Sequence, residues 1–137
     1  MRLSAAGAAM LLGDLEHRVL EAAWGARHPA TARTLFERVA RTHDVVYITC
    51  VTVANRLVEK GLMTRAKQDD VFHYAPTITK AEFTKRASRL VVQRLMTLGS
   101  AAVSASVVDV LSERDPEQLA ELARLVQAKM DERRGRG

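Results

Sequence analysis

The run Tyr47-Ile48-Thr49-Cys50-Val51-Thr52-Val53-Ala54-Asn55-Arg56-Leu57-Val58-Glu59-Lys60-Gly61 carries two opposed signals. Its first half is dense in β-branched residues, which favour a strand. Its periodicity favours a helix, because Cys50, Val53, Ala54, Leu57 and Val58 recur at i, i+3, i+4, i+7 and i+8. Thr49, Thr52, Asn55, Arg56 and Glu59 fall mainly on other faces. The periodicity predicts a helix over 47–60, with Gly61 as a left-handed C-terminal cap that stops it.

Upstream, Leu12, Leu15, Val19, Ala22 and Ala23 form an apolar stripe that predicts a helix over 14–24, ended by Gly25. Pro29 and Thr31 open a second helix with Ala32, Leu35, Phe36 and Val39 inward, and His43 and Asp44 mark its far end. Downstream, 62–67 and 71–75 alternate partly and are joined by Gln68-Asp69-Asp70, which is turn chemistry between two strands. Pro76 punctuates the chain. Thr79 and Glu82 have capping-box spacing at the head of a long helix with Phe83, Ala87, Leu90, Val91 and Leu98 inward, broken at Gly99-Ser100. A fifth helix carries Val103, Val107, Val110 and Leu111. A sixth opens with Asp115 as cap, Pro116 first and Gln118 third, and carries Leu119, Leu122, Ala123, Val126 and Met130. Residues 133–137 are expected to fray.

Composition agrees with helices packed on helices: 47% of residues are apolar but only 4% aromatic. The net charge of +5 makes a polyanion a plausible partner. The surplus is local, since residues 76–96 hold five cations (Lys80, Lys85, Arg86, Arg89, Arg94) against Glu82 alone. A single cysteine, Cys50, excludes an intramolecular disulfide and a zinc finger, and fits a reducing compartment. His17, His28, His43 and His73 show no ligand-spaced pair, so neither a metal nor a cofactor is expected. The apolar run 5–12 after Arg2 is short, interrupted by Gly7 and followed by Asp14 and Glu16, and reads as an arm leading into a helix; nothing approaches a membrane span. A nucleophile with a base and a phosphate-cradling loop are both wanting, so an enzyme is not expected. The reading is a cytoplasmic, nucleoid-associated protein.

Three helices followed by a hairpin is the order of a winged helix-turn-helix, and three further helices would form a dimerisation domain. The expected fold is mainly α, divided into a DNA-binding domain over 1–76 and a helical dimerisation domain over 77–137. Three stretches carry a family likeness: Leu12-Gly13-Asp14-Leu15-Glu16 with Trp24, the run from Tyr47 through Gly61-Leu62, and Tyr74-Ala75-Pro76. Over residues 12–125 the chain resembles the penicillinase repressor (BlaI/MecI) family. That resemblance implies a homodimeric repressor of β-lactamase-type or cell-envelope and stress genes, on a palindromic duplex operator of TACA and TGTA halves. Family members cut by a sensor protease carry an Asn-Phe bond where this chain has Ser106-Val107. Copper-responsive members carry paired C-terminal cysteines, and this sequence has none.

The residue chemistry points the same way independently, because a helix that reads base edges needs short donors and acceptors plus a cation on its exposed face. Thr49, Thr52, Asn55 and Arg56 meet that need. Thr methyls can touch thymine, Asn can pair bidentately with adenine, and Arg can take guanine or a phosphate. Arg65 and Lys67 flank the wing turn and can bracket phosphates. Tyr47 either bonds a phosphate or packs its ring on the wing. The expected dimer interface comprises Leu90, Leu95, Leu98, Val107, Leu111, Leu119, Leu122 and Val126. Cys50 sits on the apolar stripe and is expected to be an inert buried thiol, and Trp24 a core or interface anchor. Two other functions stay open: a winged-helix module that binds protein, and a regulator that senses a ligand or an effector or sensor protein.

Overall fold

The computed structural model describes residues 12–136; the proposed N-terminal arm lies outside them, apart from Leu12. Among the described residues there are six α-helices and one three-stranded sheet. In chain order they are α1 (Asp14–Gly25), β1 (Ala30–Thr31), α2 (Ala32–Ala40), α3 (Tyr47–Glu59), β2 (Met63–Gln68), β3 (Val71–Pro76), α4 (Lys80–Leu95), α5 (Ser100–Arg114) and α6 (Pro116–Arg136), with a 3-10 turn at Met96–Leu98. Two compact units meet in sequence between Val91 and Val92.

In the first unit α1, α2 and α3 pack on one another. The β-branched run is helical because Cys50, Val53, Ala54 and Leu57 are all buried against α1 and α2, and that burial outweighs its strand propensity. Val19, Leu20, Ala22 and Ala23 face them from α1, and Ala32, Leu35 and Val39 from α2. Leu20 joins the core although it lies off the expected stripe. At the head of α2 the Thr31 Oγ accepts from the Thr34 N–H at 3.2 Å, so Thr31 caps the helix, whereas Pro29, expected to open it as well, lies ahead of β1.

Gly61 sits at φ +81°, and its N–H bonds the Val58 carbonyl while the Leu62 N–H reaches back to the Leu57 carbonyl, each at 3.0 Å. These are the paired bonds of a Schellman motif, closed by the burial of Leu62. The chain therefore leaves α3 sharply and enters β2. Thr77 pins the return, donating its hydroxyl to the Gly61 carbonyl at 2.7 Å and its N–H to the Leu62 carbonyl at 3.0 Å.

The hairpin forms with Met63 opposite Pro76 and Gln68 opposite Val71. Asp69 and Asp70 turn it at φ 53° and 62°, the two positive values of a type I′ turn. From Thr64 onward β2 is exposed, so the hairpin projects as a wing. The two-residue strand β1, too short to leave a pattern in the sequence, pairs its Ala30 and Thr31 with Tyr74 and His73 to give the sheet order β1-β3-β2.

Several terminal expectations need correction. The Glu82 N–H does bond the Thr79 Oγ at 3.1 Å, but the Glu82 carboxylate accepts from Arg86 Nε at 2.8 Å rather than returning to Thr79, so half of the capping box forms. On α4, Phe83 is buried and Ala87 and Leu90 are half-buried, whereas Val91 is exposed, as is Leu98 in the turn beyond. Residues Arg133, Arg134 and Arg136 do not fray; they continue α6, where Arg136 bonds Glu132 at 2.7 Å. The Asp115 cap on α6 is present, its carboxylate accepting from the Gln118 N–H at 3.2 Å.

Among the described residues every buried one lies between Val19 and Phe83, so residues 92–136 hold no buried side chain. Some of their apolar residues line an open groove at the end of α4, the turn after it and α5, where Leu95, Leu98, Val103, Val107, Val110 and Leu111 converge.

Candidate nucleic-acid interface

α3 is held rigidly on its inner side, which fixes what its outer side presents. Beyond the core contacts, Lys60 at its end pairs with the half-buried Glu16 of α1. The outer side carries Tyr47, Ile48, Thr52 and Arg56 exposed, with Thr49 and Asn55 half-buried. The helix starts at Tyr47, and Val46 at the N-cap position gives it no side-chain cap.

Asn55 is the junction between helix and wing. Its Oδ1 accepts from Arg65 Nη1 at 2.8 Å and from the Tyr74 hydroxyl at 2.9 Å. A guanidinium can only donate, which fixes the amide orientation. Tyr74 is 2% exposed, so its hydroxyl depends on this bond. Burial pushes the Tyr74 phenol up from its ordinary value and Arg65 pulls it partly back, so the hydroxyl keeps its proton at neutral pH and serves as the donor. The oxygen that a bidentate adenine contact needs is thus engaged, and the amide Nδ2 is what Asn55 has left to offer.

Arg65 also stacks over the Phe72 ring at 4.2 Å, and Lys67 Nζ lies 5.3 Å from the same ring. Both cations are held along the exposed wing while their heads remain accessible. Tyr47 packs on α2: its ring meets Phe36 edge-on at 5.8 Å, and the Arg33 guanidinium lies over it at 4.5 Å. Arg33 was not singled out in the sequence, since nothing local distinguishes it from other surface cations. Thr52 donates its hydroxyl to the Ile48 carbonyl at 3.0 Å.

Of the expected site residues, Tyr47, Thr49, Thr52, Asn55, Arg56, Arg65 and Lys67 all lie on α3 or the adjoining β2. Among the expected interface residues, Leu95, Leu98, Val107 and Leu111 line the apolar groove. Leu119 and Leu122 are half-buried and Val126 exposed on α6, while Leu90 is half-buried on α4 within the first unit.

Trp24 is a core anchor. Its Nε1 donates to the Ile78 carbonyl at 2.9 Å and its ring lies 5.4 Å from Phe83. Cys50 is buried, and desolvation holds its thiol above the usual range, which disfavours the reactive thiolate. Among the described residues no three His, Cys, Asp or Glu side chains converge on a metal position, and no helix is long and apolar enough to cross a membrane.

A family model described as Penicillinase repressor matches residues 12–128. Two curated relatives, each called Transcriptional regulator BlaI and found in two strains of Mycobacterium tuberculosis, are 37% identical to the chain over 65 residues. The chain spans about half the length of these relatives, 47% of each, and the match covers 47% of the chain itself.

Proposed function

The chain belongs to the penicillinase repressor family, and from that premise we propose that it is a cytoplasmic transcriptional repressor that binds a palindromic duplex operator as a homodimer. The observation that carries this reading is the exposed face of α3 with a cationic wing fixed beside it through Asn55. A helix with its side chains measures about 10–12 Å across, and a B-form major groove is about 12 Å wide, so α3 fits with its outer face on the base edges.

In this reading Thr49, Thr52 and Arg56 contact bases, Arg56 reaching guanine bidentately. Arg65 and Lys67 hold phosphates, and Tyr47 with Arg33 meets the backbone beside the helix start. Asn55 braces the wing. The division into a DNA-binding part over 1–76 and a dimerisation part over 77–137 assigns the second role to α4, α5 and α6. Residues 92–136, with no buried side chain and an open apolar groove, gain most from a second copy of themselves. Leu90, Leu95, Leu98, Val107, Leu111, Leu119, Leu122 and Val126 are the residues assigned to that contact.

The family resemblance supports an operator of TACA and TGTA halves and targets among β-lactamase-type or cell-envelope and stress genes, and the proposal includes both. Because Ser106-Val107 replaces the cleavable bond of protease-regulated members, release is assigned to a non-cleaving signal that reorients α4.

The test is selection of bound duplexes from random sequence, followed by titration at several salt concentrations. The expected result is an enriched inverted repeat whose affinity falls steeply with salt, and a dimer by sedimentation at micromolar protein. Failure to enrich any duplex, with salt-insensitive capture of a protein partner in its place, returns the interaction-module reading.

A further inference from the structure

Ile48 is 69% exposed, the most exposed large apolar side chain among the described residues of the first unit, and Val46 beside it is 61% exposed. Scattered apolar residues on a surface are ordinary. These two stand at the head of the helix assigned to DNA, and Val51 and Thr52 follow Ile48 at i+3 and i+4 on the same face. The Thr52 hydroxyl gives its only hydrogen to the Ile48 carbonyl at 3.0 Å. It has none left for a base acceptor, and what it offers outward is a methyl and an acceptor oxygen.

The face of α3 around Ile48 therefore presents the methyls of Ile48, Val51 and Thr52, while cations stand around it: Arg33 over Tyr47, Arg56 farther along the helix, and Arg65 and Lys67 on the wing. That arrangement suits an occupant with an anionic rim and an apolar patch at its centre. In the major groove of duplex DNA the apolar patch is the thymine C5-methyl group, flanked by phosphates. Resting on the DNA-binding reading above, we propose that Ile48 is a specificity-determining residue that reads thymine methyl groups in the major groove, with the Thr52 methyl beside it.

The experiment replaces each thymine of the selected duplex in turn by deoxyuridine, which deletes the C5-methyl and leaves every hydrogen-bonding group in place. One or two thymines in each half-site should show binding weakened about fourfold on replacement, the factor that corresponds to losing burial of one methyl-sized group. Ile48→Ala should weaken binding to the thymine duplex by a similar or larger factor, yet cost little further on the deoxyuridine duplex, because both changes remove the same contact. The side chain is exposed, so the variant's melting temperature should match that of the unsubstituted chain. Specific binding that ignores deoxyuridine at every position, or an Ile48→Ala loss of equal size on both duplexes, overturns this assignment and leaves the DNA-binding reading standing. Failure of the unsubstituted chain to select any duplex removes that reading and this assignment with it.

Discussion

Replacing Asn55 separates a brace from a base reader. In the structure its Oδ1 serves two donors, the buried Tyr74 hydroxyl at 2.9 Å and the exposed Arg65 guanidinium at 2.8 Å. Asn55→Ala strands the phenol away from water, which costs about 1–3 kcal/mol, whereas the Arg65 head regains water and adds little. Tyr74→Phe removes the stranded group itself, so its cost should be smaller, about 0.5–1.5 kcal/mol. Asn55→Asp keeps an acceptor for both donors and should hold stability within about 0.5 kcal/mol, yet it sets a negative charge beside the phosphates and should weaken DNA binding about tenfold. Urea unfolding at one fixed protein concentration measures the first three quantities, and titration of fluorescent duplex the fourth. The reasoning is refuted if Asn55→Ala leaves stability unchanged and abolishes preference at one A·T pair alone, because Asn55 would then be reading adenine.

Gly61→Ala forces a β-carbon into a left-handed conformation at φ +81° and should cost about 1–2 kcal/mol in thermal or urea unfolding. The double change Asp69→Asn with Asp70→Gly suits a type I′ turn better and removes two carboxylates from the wing tip; it should raise stability by roughly 0.5–1 kcal/mol and tighten duplex binding, read by unfolding and by titration. The folded Tyr74 phenol is held above its ordinary 10.0, so its contribution is present below that pH and is lost as pH rises through the folded value. Stability of the unsubstituted chain should therefore fall more than that of Tyr74→Phe between neutral pH and the alkaline range.

The elements of the first unit were legible where the signal was local. The stripe Cys50, Val53, Ala54 and Leu57 overrode a strand-favouring composition because all four are buried together. Gly61, the Asp69-Asp70 turn and the Thr31 cap each announce themselves within a few residues, as does the Asp115 cap in the second unit. What escaped depends on distant chain segments meeting. β1 is two residues long and exists only because β3 lies beside it. The Asn55 brace joins residues 10 and 19 positions apart, and a polar residue on an outer helix face reads in sequence as free for a ligand. Tyr47 was expected to meet the wing or a phosphate, and its stacking with Phe36 and Arg33 follows from how α2 crosses α3. Ile48 was within reach: it falls off the buried stripe, so an apolar residue there has no core to enter.

Methylation interference on the selected duplex tests the central claim, that α3 reads the major groove, most directly. Dimethyl sulfate methylates guanine N7 in the major groove and adenine N3 in the minor groove, so a single experiment reports both the groove and the position. With Arg56 on guanine, N7 methylation of at least one guanine in each half-site should block binding, and Arg56→Ala should lose its preference for guanine at that base step with a cost of about 1–3 kcal/mol. Interference confined to adenine N3, or binding indifferent to N7 methylation throughout the site, would contradict the account.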